Sequence, residues 1–444
     1  MIKKNFLSRY SGLILSGLFL LILTGETVLA AAPELTITGP WSVQLKDGDN
    51  TFETTIAGTD YYTPTDEKYD SLPVFNPDGG FWGKGTLLFG SMAQGCPMND
   101  VLIPDSVEVR LTPGGKKLER GKDYEFDNVD SQLGRLEGGK IPADTPVYVT
   151  YKSAMMRLDS IVRNADGSYE LLQGKPDKAN PVLPELKEGQ VRLANIYIPG
   201  IIEKLSDNEL FPILTPPGEF VFDKSAEPVA KKLLPKTWVK LNAGEEVRIL
   251  AWGDSVTECT YLPEEEHWQN QFAERLQAAF PKAKVVLMSE GWGGRTTSAY
   301  LSEPAGSPRN YQEKVLDLKP DLIISEFVND AGLDQNLVNE LYARIRDDFK
   351  NIGAEWIICT PHYVRPSWMA IDRQKNIDDD PRPYVIGIRQ FAKENNIAVA
   401  DAAKLYGQLW RQGIPYITVM VNNINHPNKE GLKLFADALM NLFQ

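Results

Sequence analysis

Two fold classes are predicted in this chain of 444 residues: a β-sandwich or jelly-roll-like region over residues 33–235, then an α/β domain with a parallel sheet over residues 245–444. Three observations carry that reading. Short alternating segments punctuated by Gly, Pro and Asp, such as DSVEVRLTPGG and TPVYVTYK, fill the first half. Apolar runs of strand length, separated by longer helical patterns, fill the second. A Lys- and Pro-rich passage, DKSAEPVAKKLLPKTWVKLNAGEE, parts the two rhythms and reads as a linker or wrapping segment.

The first 30 residues stand apart. MIKKNFLSRY carries Lys3, Lys4 and Arg9, SGLILSGLFLLILTG is almost wholly apolar, and VLA followed by AAP offers small residues for cleavage. That order is the pattern of a secretory signal peptide, removed after Ala30 or a neighbouring alanine. The alternative is a membrane anchor, but the run falls short of the ~20 residues a spanning helix needs. Export to the periplasm or beyond is therefore expected.

In the first half, LDSIVRN and SYELLQG joined by ADG read as a hairpin. The stretch is long enough for two small modules with a seam near residue 150, and it contains no repeat of the solenoid or propeller kind. Aromatics gather in DYYTPTDEKYD and GGFWGKG. They suit a sugar platform, although packing is the commoner use.

In the second half, VRILAW, KVVLMSE, DLIISEF, EWIICTP and IAVAD are the five strand candidates. Between them EEEHWQNQFAERLQAAF places Trp268, Phe272 and Leu276 at four-residue spacing, and NKEGLKLFADALMNLF is the closing helix. Ligands of such sheets sit beyond the carboxyl ends of the strands.

Composition removes several functions. The net charge of −13 opposes binding to nucleic acid or anionic lipid, both of which need a basic face. Three scattered cysteines, Cys96, Cys259 and Cys359, form no disulfide framework; separate buried thiols are expected, with a Cys259–Cys359 bridge as the alternative. The three histidines, His267, His362 and His426, lack the spacing of a zinc motif, and no metal or other cofactor is expected.

The ends of the five strands carry the chemistry. AWGDSVTECT delivers Asp254 and Ser255, EGWGGRTTSAY follows strand two, and strand three ends in Asn329 and Asp330. Strand four delivers His362, and the last loop, NNINHPNKEG, holds His426. A serine becomes a nucleophile only beside a base. His267 opens an amphipathic helix and reads as a surface histidine, whereas His426 lies in a polar loop before the closing helix, which makes it the best base on context. An oxyanion needs donors, and the candidates are the backbone N–H of Ser255, the backbone N–H of Gly294 and the side-chain amide of Asn329. Each has a plainer reading: Ser255 as a helix cap, Gly294 as a turn residue, and Asn329 with Asp330 as a cap for the next helix.

Taken together, GDS at 253–255, GGRTTSAY at 293–300, ND at 329–330 and HP at 426–427 resemble the SGNH, or GDSL-like, hydrolase superfamily. The resemblance covers residues 245–444 and implies a flavodoxin-like three-layer α/β/α domain with a five-stranded sheet. It further implies ester hydrolysis through an acyl-enzyme. Ser255 would be nucleophile and oxyanion donor, Gly294 and Asn329 further donors, His426 the base, and Asp254 and Asp330 supports. The α/β-hydrolase elbow G-x-S-x-G is not matched, because Thr257 fills its second glycine.

Two positions depart from the family pattern. Phe327 replaces the glycine of G-x-N-D, and Asn423 stands where the acid of the triad belongs, three residues before His426. An amide can orient the imidazole but adds no charge to stabilise imidazolium. A backbone carbonyl, Asn423 itself or Asp401 would then orient His426. Two-domain carbohydrate esterases with an N-terminal jelly roll, which this layout resembles, work with a Ser-His dyad.

The turn at 293–300 is also similar to that of pectin-side-chain acetylesterases, which suggests a carbohydrate O-acetyl ester as substrate, with Trp292, Arg295 and His362 as pocket residues. The alternatives are a lipase or thioesterase of the same superfamily, and a carbohydrate-binding or scaffold protein whose esterase domain has decayed. Activity is expected to fall as His426 protonates between pH 8 and 5.

Overall fold

Residues 32–222 and 227–444 are described by the computed structural model. The expected signal peptide and residues 223–226 lie outside them. Among the described residues, no helix is long and apolar enough to cross a membrane.

The second half is organised around a five-stranded sheet. Its strands are one (Glu246–Gly253), two (Lys284–Gly291), three (Leu322–Glu326), four (Glu355–Cys359) and five (Ala398–Ala400). All neighbours are parallel and the spatial order is two-one-three-four-five. Strand three is buried along its whole length, as its continuous apolar run predicts for a sheet covered on both faces. In this order the chain reverses direction between strands one and three, and a crevice opens at their carboxyl ends. Ser255 and Asn329 stand on its two sides.

Helices Trp268–Ala279 and Lys429–Asn441 pack together, as do Gln335–Ile352 and Pro383–Asn395, giving the three layers. Gln335–Ile352 shows why such segments are helical. Asp334 caps it by accepting the Leu337 amide (2.9 Å), Gly353 closes it at φ +81°, and Val338, Tyr342, Ile345 and Phe349 form its buried stripe.

The Lys- and Pro-rich passage is less of a linker than expected. It forms helices Val229–Leu233 and Pro235–Ala243, with Pro235 at the first turn and Gly244 as a left-handed cap. Ala230, Leu234 and Leu241 are fully buried in the core of the sheet domain. The apolar spacing at 230, 234 and 241 outweighs the flanking lysines, which point to solvent at the surface.

Described strands of the first half pair antiparallel throughout. The ADG segment joins Arg157–Arg163 to Tyr169–Leu172 as a hairpin, as predicted. One apolar cluster gathers Tyr69, Leu133, Val149 and Tyr151, and a second gathers Val43, Leu45, Ile161 and Ile196. Met98, Met156, Leu158 and Phe211 belong instead to the core of the sheet domain, so the two halves share apolar packing. Polar contacts follow the same seam: Asn195 donates to the Gly413 carbonyl (2.7 Å) and the Leu214 amide to that of Arg411 (2.7 Å). All three cysteines are buried free thiols, which excludes the Cys259–Cys359 bridge.

Arg157 is a buried, paired charge of the first half. Its guanidinium is fully buried, grips Asp159 (2.8 and 3.0 Å) and Asp60, and donates to the carbonyls of Ala57 (2.6 Å) and Gly58 (3.1 Å). Removing it strands the equally buried Asp159. Arg157→Ala should therefore lower unfolding stability by about 3–5 kcal/mol, read as a shift in the urea midpoint.

Candidate active site

Strand one ends at Gly253, where there is no room for a side chain: a Cβ would fall 2.1 Å from Thr257 Oγ1 and 2.3 Å from the Glu326 carbonyl. That close approach lets the chain turn directly into the short helix Ser255–Glu258. The cap is Asp254, not Ser255. Asp254 Oδ1 accepts the Val256 amide (3.0 Å) and Oδ2 accepts the Asn329 amide (2.9 Å), tying the turn after strand one to the turn after strand three. Ser255 is thereby freed of a capping role, and its half-buried side chain faces His426.

His426, the base expected from the sequence, lies within hydrogen-bond reach of the serine. His426 Nε2 is 3.0 Å from Ser255 Oγ. One side chain shapes the loop that carries it: Asn422 Oδ1 accepts the amides of Ile424, Asn425 and His426, each at 3.0 Å. Tyr261 stacks flat on the imidazole, with 4.5 Å between centroids and 2° between planes. Burial lowers the imidazole from its ordinary value to about 4.

The other ring nitrogen is where the sequence reading fails. His426 Nδ1 lies 2.6 Å from Gln94 Oε1, a side chain from the N-terminal half. Asn423 does not reach the imidazole. It sits in the left-handed region at φ +55°, with its Oδ1 buried and unpartnered, because the three amides gathered by Asn422 turn the loop away from the helical spacing that would align it with His426. Asp401 is also excluded, since it is held by Arg389 (2.9 Å twice) and Thr360 (2.9 Å) while capping helix Ala402–Tyr406. The spacing of a motif could have revealed neither Gln94 nor Asn422. The QG pair in a short hairpin is the only local sign, and it marks a turn.

Donors for an oxyanion surround Ser255. Asn329 Nδ2 is buried and has no hydrogen-bond partner in the folded chain. The glycine turn after strand two is fastened to the nucleophile's helix by Glu258, which accepts the Gly293 amide (2.8 Å). A Cβ on Gly293 would lie 3.8 Å from that of Ser255, so this turn borders the serine directly. Gly294 adopts φ +72°, a conformation that suits glycine. Asp330 supports the same wall by accepting the Thr297 amide (3.0 Å) and hydroxyl (2.8 Å) and the Tyr342 hydroxyl (3.1 Å). Asn329 and Asp330 therefore do not cap the next helix, a task taken by Asp334.

Burial raises the carboxyls beneath the site. Asp330 is pushed up to about 6, and the tightly coupled Asp254 and Glu326 are both raised. Phe327, at the family's glycine position, is extended at φ −139° and packs on Trp252 (4.8 Å between centroids), so no left-handed residue is needed there.

The expected pocket residues divide. Trp292 packs edge-on against Tyr300 (5.6 Å), and the exposed Arg295 lies over its ring at 4.6 Å, both on the glycine turn beside Ser255. His362 is not a pocket residue. It is fully buried and packs against Tyr406 at a tilt and against Phe435 edgewise. Strand four ends too deep beneath the His426 loop for it to meet a substrate. His267 contacts the Leu262 carbonyl (3.1 Å) outside the site.

In comparison with known proteins, residues 251–434 match the GDSL-like Lipase/Acylhydrolase family. No curated protein sequence matches the chain. Among solved structures it is similar to a two-domain esterase active on acetylated mannans, at 18% identity and a TM-score of 0.38, over 48% of this chain and 52% of that one. The chain thus matches about half the length of that esterase. It is also similar to an acetylxylan esterase from Geobacillus stearothermophilus (19% identity, TM-score 0.37, 46% and 96% coverage). A further likeness is to the acetyl xylan esterase AlAXEase (21% identity, TM-score 0.36, 44% and 98% coverage).

Two outcomes follow for any ester substrate. Ser255→Ala or His426→Ala should each lower kcat by at least about 10⁴-fold, and Asn329→Ala by about 10²–10³-fold, with circular dichroism unchanged. Because burial lowers His426, the base stays neutral well below pH 6.5. kcat/KM should hold from pH 8 to 5 and fall only as pH approaches 4, in place of the loss between pH 8 and 5 expected from an ordinary imidazole.

Proposed function

We propose that this protein, whose residues 251–434 form a GDSL-like lipase/acylhydrolase domain, is an exported serine esterase that removes O-acetyl groups from a carbohydrate through an acyl-enzyme on Ser255. The observation that carries the reaction is the 3.0 Å contact between Ser255 Oγ and His426 Nε2 beside an unpartnered Asn329 amide.

In the first half-reaction Ser255 Oγ attacks the acetyl carbonyl carbon while His426 Nε2 takes the hydroxyl proton. The negative charge that develops on the carbonyl oxygen meets the backbone N–H groups of Ser255 and Gly294 and the Asn329 amide. Collapse of the tetrahedral intermediate breaks the bond to the sugar oxygen, which leaves with the proton from His426. In the second half-reaction His426 removes a proton from water, the hydroxide attacks acetyl-Ser255, and acetate departs as the proton returns to Oγ.

Support for a sugar comes from an aromatic patch beside the His426 loop. Trp82 is 61% exposed and Trp368 is 51% exposed. Phe81 meets Trp82 edge-on at 4.6 Å and Trp368 at 6.3 Å, so the patch draws on both halves of the chain. The segment bearing Trp368 is tied to the loop that carries His426: the amide of Arg365, three residues before Trp368, donates to the Ile424 carbonyl (2.7 Å). Flat exposed rings suit the C–H faces of pyranoses. An apolar cavity of about 390 Å³ is lined by Leu158, Phe220, Leu409 and Ile414, and neither Ser255 nor His426 lines it.

On acetylated xylan or mannan oligosaccharides the protein should release acetate. Trp82→Ala and Trp368→Ala should each raise KM there by about 2- to 10-fold while leaving kcat/KM on p-nitrophenyl acetate unchanged. Faster turnover of long-chain than of acetyl p-nitrophenyl esters would replace this reading with a lipase.

A further inference from the structure

We infer that Gln94 is a positioning residue that fixes the tautomer of His426, so that the N-terminal half completes the catalytic centre of the C-terminal one. The inference rests on the proposed serine mechanism and adds to it a third group from outside the hydrolase domain.

The geometry leaves one assignment that works as a base. An amide oxygen can only accept, so the Nδ1 facing Gln94 Oε1 at 2.6 Å must carry the hydrogen. Nε2 is then the bare nitrogen, and it is the one that faces the Ser255 hydroxyl at 3.0 Å. Without an acceptor at Nδ1 the neutral ring would divide between two tautomers, one of which cannot take the serine proton.

The hairpin that presents Gln94 is built for the contact. Its strands are Met92–Ala93 and Cys96–Pro97, joined through Gln94 at φ +49° and Gly95 at φ +73°. A two-residue turn with both central residues left-handed favours Asn, Asp or Gly at its first position, and glutamine there runs against local preference. Residues of this kind are retained where their surroundings hold them. Here Asn422, which shapes the His426 loop, also donates to the buried Cys96 Sγ (3.7 Å). Asn99 pairs with Arg365, and the Gly90 amide is fixed on the Tyr151 hydroxyl (2.6 Å). The hairpin is therefore anchored at its base and docked against the loop it serves.

Among the described residues, the hydrogen-bond contacts of the imidazole nitrogens are with two uncharged side chains, Gln94 and Ser255. Tyr261 on its face is held neutral by burial, which raises it, and His362 behind the loop by burial, which lowers it. Asp254 beside Ser255 and Glu326 beneath Tyr261 are raised by burial. Gln94 adds orientation without charge, and a carboxylate in its place would add both.

The test uses the full chain labelled with ¹⁵N-histidine, which gives three imidazoles to resolve, together with p-nitrophenyl acetate kinetics. Wild type should show His426 protonated at Nδ1. Gln94→Ala should populate both tautomers and lower kcat about 10- to 100-fold with KM little changed. Gln94→Glu, which keeps the side-chain length, should restore the tautomer and raise the His426 pKa by about 1–2 units. The acid limb of kcat/KM should move up with it. Unchanged tautomer, pKa and acid limb in both variants would overturn the inference. If Gln94→Ala fails to fold, Gln94→Glu alone decides through the limb and the titration. Because the titration needs no turnover, an inactive wild type with the expected tautomer would reject the esterase reading, and with it a catalytic use of Gln94, while leaving the tautomer-fixing contact itself in place.

Discussion

The imidazole of His426 has to present a bare nitrogen to one oxygen while its other nitrogen is held by a second, and the two oxygens come from different halves of the chain. Ser255 belongs to the turn after strand one, and Gln94 to a hairpin about 160 residues earlier. Neither contact is strong. A neutral hydrogen bond contributes about 1 kcal/mol net, far less than the entropy of ordering a loop and a hairpin. The geometry persists only because packing the two halves fixes both partners first. Shared apolar burial around Met98, Met156 and Phe211, together with polar contacts along the seam, supplies that prior order. The catalytic arrangement is thus a by-product of tertiary docking.

Within the sheet domain the same logic runs through carboxyls. Asp254 ties the turn after strand one to that after strand three, and Asp330 ties the latter to the start of the helix after the glycine turn. Each is buried and raised in pKa, which marks a cost. What that cost holds in place is the spacing among a nucleophile, an amide donor and a glycine turn that are far apart in sequence. The family's carboxylate three residues before the histidine is missing, and Asn422 takes a different task by gathering three amides to shape the loop.

Much of this was legible in the sequence for a definite reason. Apolar runs without alternation imply buried parallel strands, and ligand chemistry gathers at their carboxyl ends, which brought Ser255, Asn329 and His426 forward as candidates; their expected roles came from the resemblance to SGNH hydrolases. His362 came forward the same way but is no pocket residue, since its place after a strand gives no depth, and the residue lies under the loop rather than in it. Asn423 failed because spacing presumes a regular backbone, whereas the loop turns left-handed there. Gln94 was beyond reach for another reason: nothing local ties a hairpin in one half to a histidine in the other. Of the two readings of the Lys- and Pro-rich passage, linker and wrapping segment, the linker fails, because composition hid the buried face of two short helices.

In the proposed mechanism His426 activates Ser255 as a nucleophile. This activation is tested most directly by treating the full chain with a fluorophosphonate and mapping the adduct by peptide mass spectrometry. A single adduct on Ser255 is expected in the wild type, and little or none when His426 is replaced by alanine. No adduct, an adduct on another residue, or equal labelling without His426 would contradict the mechanism.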